Sequence, residues 1–102
     1  MLSNIIRTNF TGRDTCPYND GLGAKELMRY AENNLKVRLT EPNDGQFAVS
    51  IYEEDGIHRA TGKCAKSLAN ATAVFNEIAD HIEAADRSFD ELAMILSQKL
   101  NK

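Results

Sequence analysis

No stretch of this sequence is apolar for long enough to span a membrane, and it contains no CxxC pair and no nucleophile elbow. The first absence excludes an integral helical membrane protein, and the others remove a zinc ribbon, a thioredoxin-type redox site and an α/β-hydrolase centre. Cys16 and Cys64 stand far apart with no histidine at ligand spacing, so neither a metal nor a disulfide framework is expected, and no cofactor is implied. A surplus of base is also missing. With Lys+Arg 12 against Asp+Glu 15, the net charge is -3, and the phosphate neutralisation on which nucleic-acid binders depend has little to draw on. Gly21-Leu22-Gly23 lacks the third glycine and the preceding strand of a dinucleotide loop, and reads as a flexible helix entry.

What is present suits one folded domain: 102 residues, 42% hydrophobic and 26% charged, is too apolar for wholesale disorder and too short for two cores. The stretch 1–7 is broken by Ser3, Asn4 and Arg7 and does not read as a signal peptide, so a cytoplasmic location is expected. The charge deficit falls in residues 67–102, which hold three basic and six acidic side chains. Against that, 56–66 carries His58, Arg59, Lys63 and Lys66 with no carboxylate, the one local basic patch.

Residues 1–22 are rich in turn formers and are expected to form an irregular arm. Gly23 as N-cap with Glu26, followed by Leu27, Tyr30, Ala31 and Leu35 at helical spacing, predicts a helix over 24–34. Alternation predicts strands over 36–40 and 47–52, with Pro42-Asn43-Asp44-Gly45 turning between them. Asp55-Gly56 predicts a two-residue hairpin into a strand over 57–62. That loop length sets Tyr52 against Arg59, Ser50 against Thr61 and Ile51 against Ala60. Leu68, Ala71, Phe75, Ile78 and Ile82 mark a long helix over 66–85. Ser88-Phe89-Asp90-Glu91 is a capping box opening a last helix, whose stripe of Phe89, Leu92, Ala93, Leu96 and Leu100 either closes the monomer or pairs with a second copy.

These elements predict an α+β fold of two layers: a three-stranded antiparallel sheet with helices on one face, in the order α-β-β-β-α, plus a C-terminal helix. Residues 23–86 would be the αβββα core and 87–102 the amphipathic helix, all in one domain. Phe47, Val49, Ile51, Leu27, Ala31, Leu68, Phe75 and Ile78 are the expected core.

Catalysis needs a convergent nucleophile, base and orienting group. Cys64, at the expected start of the long helix where the macrodipole and Lys63 or Lys66 would favour its thiolate, and His58 are the only candidates, and no catalytic role is expected of them. His81 reads as a solvated helix histidine, and Glu53-Glu54-Asp55 as a solvated hairpin tip. The polar sheet face is the better candidate. Tyr52 and Arg59, with Ser50 and Thr61 beside them, are residue types that anchor protein interfaces, which predicts a non-catalytic module binding a partner protein.

Phe47-Ala48-Val49-Ser50-Ile51 as a central strand and Gly62-Lys63-Cys64-Ala65-Lys66 leading into an alanine-containing helix resemble the double-stranded-RNA-binding domain over residues 24–82. That resemblance implies that Lys25 and Arg29 on the first helix, with Lys63 and Lys66 at the start of the last, would contact an A-form duplex. The family's lysine cluster is represented here by Lys66 alone, and the first hairpin loop carries Glu41 and Asp44. The chain is also similar in style to small accessory proteins of bacteriophages and mobile elements, which implies an inhibitor or adaptor that occludes a partner.

Overall fold

A computed structural model describes residues 9–10, 25–54 and 59–100. The elements are β1 (Asn9–Phe10), β2 (Lys25–Glu32), β3 (Leu35–Asn43), β4 (Gln46–Glu53), β5 (Arg59–Ala65), α1 (Leu68–Ala84) and α2 (Phe89–Leu100). Strands β2 to β5 form an antiparallel meander, and two-residue β1 lies parallel to β5 at the outer edge, giving the order β1-β5-β4-β3-β2. The class is α+β, as the sequence predicts, with two helices among the described residues.

The first element differs from expectation: the segment read as a helix over 24–34 is strand β2, so among the described residues the antiparallel sheet has four strands rather than three and no helix precedes it. The reason lies in Asn33-Asn34. Both residues have positive φ, 56° and 64°, and Glu32 pairs with Leu35 around them, a two-residue hairpin in which asparagine tolerates the left-handed conformation. Asn33 Nδ2 also donates to the Ile82 carbonyl at 2.9 Å, tying this turn to the end of α1. The alternation that would have betrayed β2 is hidden by a register shift between Glu26 and Met28, after which Leu27, Met28 and Tyr30 all pack toward the core.

The hydrophobic core lies between the sheet and both helices. Leu35, Val37, Leu39, Val49 and Ile51 from β3 and β4 meet Ala71, Val74, Phe75, Ile78 and Ile82 from α1 and Phe89, Leu92, Leu96 and Leu100 from α2. Of the expected core, Val49, Ile51, Phe75 and Ile78 are buried, and Leu27 and Phe47 pack against them. Ala31 and Leu68 are exposed instead, Leu68 because it opens α1 beyond the sheet and Ala31 because it sits on the sheet's other side at its edge. Phe89, Leu92, Leu96 and Leu100 are buried inside the single chain, the first of the two arrangements expected of that stripe.

Both helix starts follow local chemistry. Ser67 caps α1 by accepting from the Asn70 N–H at 3.1 Å. At α2 the capping box forms as read: the Ser88 hydroxyl accepts from the Glu91 N–H at 3.2 Å, and Glu91 accepts from the Ser88 N–H at 2.8 Å.

Candidate functional site

Strand alternation gives the sheet a second face, turned away from the core, and the pairing register lays its side chains out in rows. One row runs Ala31, Lys36, Tyr52, Ala60; the next runs Arg29, Arg38, Ser50, Gly62; a third runs Glu26, Thr40, Ala48, Cys64. Both helices pack on the opposite face. Yet this polar face is buried: Lys36 is 1% exposed and Arg38 5%, with Thr40, Ser50 and Tyr52 fully enclosed.

Such burial is costly for charged and polar groups unless they are paired. Much of it is compensated. The Arg38 Nε donates to Glu26 at 2.7 Å and its Nη1 to the Tyr52 hydroxyl at 3.1 Å, while the Arg29 Nε takes the other Glu26 oxygen at 2.7 Å. Burial works to raise the Glu26 carboxyl, but the hydrogen bonds and charges of Arg29 and Arg38 outweigh it and hold the group below its ordinary value. Lys36 lies over the Tyr52 ring, its Nζ 4.8 Å from the centroid. No hydrogen-bond acceptor among the described residues reaches that ammonium, and the Thr40 Oγ1 and Glu54 Oε2 atoms are likewise buried without partners among them. Burial pushes the Lys36 ammonium down from the ordinary lysine value, opposed by the charge of Glu54 and aided by those of Arg38 and Arg29.

The expected anchor set divides between the two faces. Tyr52 and Ser50 are on the polar face, but Arg59 and Thr61 are on the core side. The cause is a one-residue difference in register: Tyr52 pairs with Ala60, Ile51 with Thr61, Ser50 with Gly62 and Glu53 with Arg59, and such a slip turns every side chain over. The hairpin loop that sets this register, with Asp55, Gly56 and His58, lies outside the described residues. Arg59 is occupied elsewhere, bonding Glu53 at 2.8 Å and Asp90 at 3.0 Å, with its guanidinium 4.5 Å from the Phe89 ring centroid. It clamps β5 to the start of α2. The residues missed by sequence reading, Lys36 and Arg38, were visible as the alternate positions of β3; their partner strand β2 was not.

The proposed nucleic-acid contacts are also not assembled as a helix surface. Lys25 and Arg29 belong to β2 at one edge of the sheet, and Lys63 to β5, with β3 and β4 between them. Arg29 points to the polar face and Lys63, opposite Val49, to the core side, while Lys66 is exposed in the connection to α1. Cys64 lies in β5 rather than at a helix start, so the macrodipole argument for its reactivity falls away. Cys16 lies with the expected N-terminal arm outside the described residues. His81 Nδ1 meets Asp86 at 2.9 Å at the end of α1. Among the described residues, no group of three histidine, cysteine or carboxylate side chains could hold a metal ion, and no helix is long and apolar enough to cross a membrane. Compared with family models, curated proteins and solved structures, the chain matches none.

Proposed function

We propose that this protein is a non-catalytic interaction module that engages a partner protein through the polar face of its sheet, in the manner of a small inhibitor or adaptor. The observation that carries this reading is the enclosed group Lys36, Arg38, Thr40, Ser50 and Tyr52 on the face away from both helices, with hydrogen-bonding atoms of Lys36 and Thr40 unmet. Buried donors and acceptors left unmet carry a desolvation cost, and a partner offering those bonds removes it. Tyrosine and arginine together are the residue types that concentrate binding energy at interfaces, and Arg38 takes the place expected of Arg59.

The test is capture of partners by the tagged full chain from its source lysate, with and without ribonuclease. It is repeated with Arg29→Glu, at the exposed rim of the face, and with Glu77→Lys on α1 as a control. A stoichiometric protein that survives ribonuclease, is lost with Arg29→Glu and is kept with Glu77→Lys supports the reading. Binding that disappears with ribonuclease, or a partner indifferent to Arg29→Glu, overturns it, the former in favour of nucleic acid.

A further inference from the structure

Lys36 and Glu54 lie diagonally across the β3–β4 pair. Lys36 is opposite Tyr52, and Glu54 follows two residues later, its N–H bonded to the Asn34 carbonyl at 2.9 Å. Diagonal neighbours of this kind have Cα atoms about 7–8 Å apart, within reach of two long side chains. The Glu54 charge is felt at Lys36, but no hydrogen bond joins them: among the described residues Lys36 Nζ is a buried donor with no acceptor, and Glu54 Oε2 a buried acceptor with no donor. Each needs what a single group with an acceptor and a donor side by side would supply.

We propose that this pair is a receptor for a side-chain carboxamide, an asparagine or glutamine of a partner polypeptide, whose carbonyl accepts from Lys36 and whose NH2 donates to Glu54. The inference rests on the interaction-module reading and names the chemistry of the partner. A carboxamide matches the charge of the site, since the ammonium and the carboxylate balance and the other cations of the face, Arg29 and Arg38, already share Glu26. A carboxylate would satisfy Lys36 and be repelled by Glu54; a phosphodiester would do the same and bring no donor. Thr40, four residues along the same face of β3 and so about 13 Å from Lys36 by strand rise, offers a further unmet hydroxyl to an extended segment lying along the strand.

Hexa-asparagine and hexa-aspartate peptides, isosteric except for the amide, separate these chemistries, with oligo(dT) as a third probe. Binding to the full chain is read by backbone amide chemical shifts at Lys36, Thr40 and Tyr52. Expected is a preference of about tenfold for hexa-asparagine over hexa-aspartate. Glu54→Gln should invert the preference, because Lys36 then lacks its counter-charge, and Lys36→Met should lose both peptides while keeping the native spectrum elsewhere. A native-like Glu54→Gln spectrum with the preference unchanged overturns the pairing, as does tighter binding of oligo(dT). Silence of the wild-type spectrum with all three probes assigns the gap to water and ends the proposal. A lysate partner that is sensitive to Arg29→Glu yet binds Lys36→Met normally leaves the interaction reading standing without the carboxamide.

Discussion

Ala85 shows what a single residue costs at a helix end. It closes α1 in the left-handed region, at φ 56° and ψ 38°, with its N–H directed at the His81 and Ile82 carbonyls. Glycine takes that conformation without the crowding a Cβ brings, and glycine is the commonest residue there. Ala85→Gly is therefore expected to stabilise the fold by about 1 kcal/mol, less a few tenths for the greater freedom of the unfolded chain. Urea unfolding measures it as a higher midpoint at constant slope; a lower midpoint would mean that α1 does not end in this way in solution. Asn33 and Asn34 occupy the same region without that penalty, because their side chains tolerate it. They were the signal for the β2–β3 hairpin, and helical spacing at Leu27, Tyr30, Ala31 and Leu35 outweighed them in the sequence.

Elements were legible where one period ran unbroken and where a cap marked the start. The α1 stripe from Ala71 to Ile82 and the Ser88 box of α2 are of this kind, and both packed as their spacing implied. Strand β2 was not, since the shift between Glu26 and Met28 puts neighbouring apolar residues on one side and erases the alternation. The β4–β5 register was not either. One residue more or less in a hairpin loop leaves strand composition unchanged and exchanges the faces, so Tyr52 was legible as a polar-face residue while Arg59 was assigned to the wrong side. The seating of α2 yields a prediction that separates its two readings. Leu96 is enclosed by its own chain, so Leu96→Ala should cost about 3 kcal/mol, with a loss independent of protein concentration. A cost that grows on dilution would instead reveal a dimer seam at this stripe.

At the scale of the molecule, the two faces of the sheet carry opposite kinds of burial: one apolar and shared with two helices, the other polar and charged. Lys36 makes the second face sensitive to pH. Burial lowers its pKa in the folded state below the 10.5 of an ordinary lysine, so between those values the unfolded chain binds more protons than the folded one. Stability must then rise with pH across that window and level off above it; below the window the folded chain bears the full cost of an enclosed ammonium. Arg38, Arg29, Glu26 and Glu54 are the charges that reach Lys36. Tyr30, whose hydroxyl, bonded to Glu32, is pushed up to about 12, works in the opposite direction in both wild type and Lys36→Met. The difference between the two proteins isolates Lys36. Lys36→Met is expected to be more stable than wild type at neutral pH by about 1–2 kcal/mol, as an apolar replacement for a buried charge often is, and the gap should close as pH approaches 10.5. Denaturant midpoints taken at intervals from pH 7 upward provide the check. A gap that stayed constant would show that Lys36 titrates alike in both states, and one that widened would place a counter-ion on its ammonium in the free protein.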